Sequence, residues 1–222
     1  MGNCDSRPAL SSVPSLAHVD GMISDGFRRA MVTKLAWEFE KKRNTGEAER
    51  PALKIEVERL LHEYLIFIWL RKLNPTERIT PSKRVDEAWH QHILFTREYA
   101  RFCRYHLGEF LHHNPTVPNY SKANYNDDSR DYARVLIRYA YHTKLAPPVD
   151  FWPTSDREKA VVKREQETAI VMGGRVVFLD ASKVSNRTGG GIAVAMKKSK
   201  QEEITDSSGA VIFYPGAGCG SM

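Results

Sequence analysis

Cysteine is scarce in this chain: of 222 residues only Cys4, Cys103 and Cys219 carry a thiol, far apart and with no C-x-x-C pair among them. A disulfide framework is thereby excluded, and a reducing, cytoplasmic compartment fits. Long apolar runs are also missing. The longest is Tyr64-Leu65-Ile66-Phe67-Ile68-Trp69-Leu70, far short of the roughly 20 residues a bilayer span needs, so it reads as a core helix segment. No basic region followed by an apolar run opens the chain, which excludes a secretory signal. Gly189-Gly190-Gly191 lacks the Lys and the strand-turn-helix setting of a phosphate loop, and no Ser nucleophile elbow occurs. The net charge of +6 comes with no RNA- or DNA-binding motif, and Lys and Arg are interleaved with Asp and Glu. Nucleic acid is therefore not expected as a partner.

What is present is a run of helical patterns followed by a short β-rich extension, a mainly α fold class: a compact multi-helix bundle, then a small antiparallel hairpin or sheet and a Gly-rich tail. Residues 1 to 23, rich in Ser, Pro and Gly, read as a flexible leader. Residues 24 to 153 read as the helical module. Ser24 or Asp25 caps a helix carrying Phe27, Met31, Leu35 and Phe39, which ends before Asn44. Pro51 opens a second helix striped with Leu53, Val57, Leu60, Leu61, Tyr64, Leu65 and Ile68, apolar enough on its other side to be the central one. A third is expected as one continuous helix from about Ser82 to His106, terminated by Gly108. After a loop, Asp127 or Ser129 caps a helix with Tyr132, Val135, Leu136 and Tyr139, and Phe151-Trp152-Pro153 reads as an aromatic plug. In residues 154 to 222, Thr168 to Met172 and Arg175 to Leu179 flank Gly173-Gly174 as a hairpin. Ile192 to Met196 and Ala210 to Tyr214 are further strand candidates, with loops at Ser185 to Gly191 and Lys197 to Gly209.

The side chains with chemistry to offer concentrate between residues 80 and 115. On a helix, His90 and His92 point to opposite sides, whereas Asp86 and His90 are four apart and share a face. Cys103 lies eleven residues beyond His92, roughly 16 Å along a continuous helix axis. A feasible metal site therefore takes Asp86 and His90 from the helix and His112 or His113 from the returning loop. Two imidazoles and a carboxylate suit zinc or iron and leave positions for water or substrate. The competing reading makes Asp86 a first-turn cap or backbone partner, His90 a core hydrogen-bond donor and His113 a loop anchor. Cys103 and His106 could touch across one turn, but on the expected core face Cys103 reads as a small hydrophobe rather than a nucleophile. Trp89 and Tyr99 read as packing aromatics.

The run Val85 to Leu94 with its Trp89-His90-Gln91-His92 core, followed by Tyr99, Cys103, Gly108, Phe110, His112-His113 and Pro115, resembles the glycine-rich domain-containing protein-like family over roughly residues 53 to 153. The resemblance makes Trp89, His92 and Cys103 motif residues and implies no established activity. Phe95 stands where that family's run is expected to carry Asp, and Gly218-Cys219-Gly220 is a short echo of its Gly-rich tails.

The amino-terminal Met1-Gly2-Asn3-Cys4-Asp5-Ser6 fits the pattern for N-myristoylation on Gly2, with Cys4 placed for a palmitoyl group as the second membrane signal. Cys219 is fourth from the end, but Gly and Ser replace the aliphatics that prenylation favours. The leading expectation is a non-enzymatic interaction module held at the inner face of a membrane and recruiting a protein partner. The alternative is a metal-dependent hydrolase or oxygenase built on Asp86, His90 and His113.

Overall fold

The computed structural model describes residues 16–44, 46–113, 125–172, 175–178, 203–205 and 211–213. Among the described residues seven α-helices are followed by two short antiparallel strand pairs, a mainly helical fold of the expected class. Helix α1 (Leu16–Asp20) is followed by α2 (Asp25–Arg43), whose N-cap Ser24 accepts a hydrogen bond from the Phe27 amide at 3.3 Å. Asn44 closes α2 in the left-handed conformation, φ 53°, one of the few non-Gly residues at home there. Helix α3 (Arg50–Leu73) begins with Pro51 in its first turn and ends at Asn74, whose side chain donates to the Leu70 carbonyl at 2.9 Å.

Every residue of α3 from Glu63 to Leu70 is buried, so this helix is packed on all sides and is the centre of the bundle. Met31, Val32, Leu35 and Phe39 of α2 join the same core. Arg43 at the end of α2 and Arg84 both pair with Glu56 of α3. Hydrogen bonding to Arg43, then to Arg84, holds the Glu56 carboxyl down to about 2, so it stays ionised through any ordinary pH.

The continuous helix expected from Ser82 to His106 is two helices, α4 (Lys83–Leu94) and α5 (Thr96–His106). Phe95 separates them with φ −83° and ψ 60°, outside the helical region. The cause is packing: the Phe95 ring leans edge-on against Phe27 at 5.3 Å, and the bend lets α4 and α5 each bury their own apolar face. No Pro or Gly marks the spot. Helix α6 (Tyr125–Thr143) follows, and Phe151 and Trp152 are buried as the expected plug. The indole of Trp152 donates to Glu63 at 2.8 Å, and Ser82 donates to the Phe151 carbonyl, so the plug ties the middle of α3 to the start of α4.

Three further expectations are corrected. The leader read over residues 1 to 23 overlaps α1, because Val19, Met22 and Ile23 are apolar enough to be buried; residues 1 to 15, with Gly2 and Cys4, lie outside the described residues. A helix to which the sequence reading gave no element, α7 (Asp156–Thr168), is set by a capping box between Ser155 and Glu158. The segment Lys197 to Gly209, read as loop, contains β3 (Glu203–Thr205), which pairs antiparallel with β4 (Val211–Phe213). The expected hairpin is β1 (Ala169–Met172) with β2 (Arg175–Phe178), Ile170 opposite Val177. It docks on the helices rather than joining β3 and β4, since Phe178 lies 4.8 Å from the guanidinium carbons of both Arg134 and Arg138. Ile192 to Met196 and the tail with Cys219 lie outside the described residues. Among the described residues no helix is long and apolar enough to cross a membrane.

Candidate metal centre

Helix α4 starts where Ser82 accepts from the Val85 amide at 3.0 Å, which places Asp86 in the first turn, where a carboxylate suits the helix dipole. His90 is one turn on, and its Nε2 lies 3.4 Å from Asp86 Oδ2. The third member comes from the far end of α5. There Gly108 takes φ 81°, and its amide and that of Leu107 both return to the Cys103 carbonyl, at 3.1 and 2.8 Å. That left-handed turn reverses the chain, and residues 109–113 run back along α4. His113 Nε2 arrives 2.8 Å from Asp86 Oδ1 and 3.0 Å from His90 Nε2.

The three donor atoms all lie within 4.8 Å of one another. Two ligands bound about 2.0 to 2.1 Å from a tetrahedral ion stand about 3.3 Å apart; the His90–Asp86 separation of 3.4 Å has that spacing, while the 2.8 and 3.0 Å contacts of His113 are tighter. Hydrogen bonding explains the arrangement less well. His113 Nε2 and His90 Nε2 carry at most one hydrogen each, so two protons can serve two of the three contacts among them and the Asp86 carboxylate and leave the third without one. A cation between them meets all three lone pairs at once. The side chains of His113, Asp86 and His90 are 14%, 29% and 49% exposed, so the cluster opens to solvent on the His90 side. A cleft of about 40 Å³ between α2 and α4, bordered by Glu87, Gln91, Lys42 and Phe39, touches His90 but neither Asp86 nor His113.

The support beneath His113 was not legible in the sequence. Its ring packs on Trp89 at 4.6 Å. The Trp89 indole donates to the Tyr99 hydroxyl at 2.8 Å, and that hydroxyl donates to the Leu111 carbonyl at 2.6 Å. Trp89 and Tyr99 are thus packing aromatics that also fix the backbone two residues before His113. Burial keeps the Tyr99 phenol well above its ordinary range, so it remains a donor.

The other candidates are not drawn in. His112 is exposed, with its ring 4.8 Å from Phe110, and is not one of the clustered ligands. His90, half exposed, is no core donor; that description belongs to His92, which is buried and bonded through Nδ1 to the Tyr64 hydroxyl at 2.9 Å. Phe27, Tyr99 and Phe102 surround the His92 ring at 4.9 to 5.1 Å, and burial pushes its pKa down to about 4. Cys103 is fully buried and lacks the access a nucleophile needs.

Residues 27–142 match the model of a family described as UCP032817-like, a span of just over half the chain that includes Asp86, His90 and His113. No curated protein and no solved structure matches the chain. The resemblance to the glycine-rich domain-containing protein-like family is overturned by this match, and with it the comparison that set Phe95 against an expected Asp. The short run of Trp, His and Cys on which that resemblance rested is explained by the packing of α4 on α5. The chain belongs to the UCP032817-like family.

Proposed function

We propose that the protein is a metal-binding helical module that holds one divalent transition metal, zinc or iron, through Asp86, His90 and His113. The observation that carries this reading is the convergence of His90 Nε2, His113 Nε2 and the Asp86 carboxylate at 2.8 to 3.4 Å, brought together from a helix and a loop 23 residues away. Two imidazoles and one carboxylate on one side of an ion leave coordination positions for water or substrate on the other. Bound there, the metal would supply Lewis acidity and a water of lowered pKa. The chain's own part is to fix the ligand geometry through Trp89, Tyr99 and the Gly108 turn, and to leave the His90 side open. That opening favours a reactive or ligand-accepting site over a closed structural one.

The test is metal titration of the full chain freed of any affinity tag, followed by elemental analysis. One equivalent per chain is expected, falling to background in His90→Ala and His113→Ala. Unchanged metal content in both variants would falsify the assignment. Saturating metal should also raise the unfolding free energy by about 2.7 kcal/mol at a free concentration one hundred times the Kd. The same variants should lose that increment.

A further inference from the structure

The outer face of α2 carries a feature that the metal centre does not use. Trp37 is 52% exposed, although the other three tryptophans, Trp69, Trp89 and Trp152, are buried. Lys34 and Lys41 hold their ammonium groups over its ring, 4.4 and 5.5 Å from the centroid. Arg29, Ala30 and Thr33 continue the same helical face, and Phe95 from the bend between α4 and α5 closes one side of an open depression of about 530 Å³. Beside Phe95, Leu94 is 64% exposed. Lys34 is paired with Glu38, whose carboxylate also lies in the field of Lys41; against that one acid stand Arg29, Lys34 and Lys41, so the charge around the indole is net positive.

We propose that this face of α2 is a docking surface for an anionic lipid bilayer. An indole flanked by long cationic side chains matches the boundary between acyl chains and headgroups, the ring entering the apolar layer while the ammonium and guanidinium groups stay with the phosphates. Charge complementarity selects acidic headgroups. The shape selects a flat partner over a peptide, because one helix and a single Phe95 side chain give the depression no opposing wall to enclose a peptide's anchor residues. Each basic side chain held at such a surface strengthens partitioning about fivefold, as far as the Debye length allows. Single-chain acylation gives only marginal membrane residence. A basic aromatic face is therefore the contact that a myristoyl group on Gly2 would need, although the proposal rests on α2 alone.

The experiment uses the full, unacylated chain and vesicles of phosphatidylcholine, with or without one quarter phosphatidylserine. Because Trp37 is the one exposed tryptophan, quenching by brominated acyl chains reads its insertion directly. Binding to the phosphatidylserine vesicles alone is expected, with quenching, and weakening at high salt. Arg29→Gln and Lys41→Gln should each weaken partitioning about fivefold. Trp37→Ala, whose exposed site leaves the fold intact by circular dichroism, should abolish the quenching and most of the binding. Equal binding to both vesicle types overturns the proposal, as does sedimentation without quenching. So does absence of binding when a photo-crosslinker at position 37 instead captures a protein.

Discussion

His90 Nε2 and His113 Nε2 stand 3.0 Å apart although 23 residues separate them, and their rings meet at a centroid distance of 4.4 Å. His90 is placed by a helix and would stay in position by itself. His113 has no regular element under it and depends on the hydrogen bonds and ring contacts that hold residues 109–113 against α4.

That dependence gives the first prediction. Tyr99→Phe keeps the ring but removes the hydroxyl that accepts from Trp89 and donates to Leu111. Loss of such an outer-shell support is expected to weaken zinc binding 10- to 100-fold by titration. Stability should fall by about 1 to 3 kcal/mol, because a buried indole donor loses its acceptor. Zinc affinity equal to that of the unaltered chain would show that the relay does not position His113.

Asp86→Asn separates charge from shape in the same cluster. The amide is isosteric with the carboxylate, so the fold should hold with a stability change of less than about 0.5 kcal/mol for a partly exposed site. Metal content should nevertheless drop sharply, because the one anionic ligand is gone. Denaturant midpoints and elemental analysis on one preparation check both halves. Full metal occupancy in Asp86→Asn would sink the role given to the carboxylate.

Half of this cluster was legible in the sequence and half was not. The four-residue spacing of Asp86 and His90 fixes a shared helix face from geometry alone, and the same geometry sends His92 inward. No local rule says whether a loop returns, so His112 and His113 could not be told apart until Gly108 was seen to reverse the chain. The bend at Phe95 had no signal either, because Phe is tolerated in a helix and only the Phe27 contact explains the break. By contrast α7 is announced by Ser155 and Glu158, a serine followed three residues later by a glutamate, although its polar surface carries little apolar periodicity. The central helix α3 was plain throughout, since its apolar residues exceed what one stripe can hold.

Two buried histidines predict acid sensitivity. Burial pushes His92 down to about 4, and burial, with Lys144 and Arg138 nearby, does the same to His142. A histidine whose folded pKa lies below its unfolded value of about 6.5 binds more protons when unfolded, so its contribution is whole above pH 6.5 and is lost as pH falls towards 4. Each should cost roughly 3 kcal/mol over that window. Urea midpoints at pH 7, 5.5 and 4.5 should fall steadily, and His92→Gln should remove about half of the slope, since its amide still offers Tyr64 a partner. An unaltered slope in His92→Gln would mean that other groups govern acid unfolding.

Glu63 works in the opposite direction and can be isolated from the histidines. Its carboxylate is buried beneath the aromatic plug, accepting from the Trp152 indole at 2.8 Å and the Tyr139 hydroxyl at 3.3 Å. Desolvation raises its pKa above the ordinary value near 4.5, and those two hydrogen bonds only partly offset the rise. A carboxyl with a raised folded pKa favours the protonated state in the fold. Its contribution is therefore whole below about pH 4.5 and is lost as pH climbs through the folded value. Glu63→Gln keeps an acceptor for Trp152 and lets the amide donate to Tyr139, but it cannot ionise. It should gain stability at pH 7 relative to pH 4.5, making the acid slope set by the histidines steeper than in the unaltered chain. Glu63→Leu has no acceptor to offer and leaves the Trp152 donor buried, so it should lose about 1 to 3 kcal/mol at every pH. Parallel stability profiles for Glu63→Gln and the unaltered chain would show that Glu63 does not titrate differently on folding. A Glu63→Leu variant as stable as Glu63→Gln would show that the plug is held by apolar packing of Phe151 and Trp152 rather than by this carboxyl.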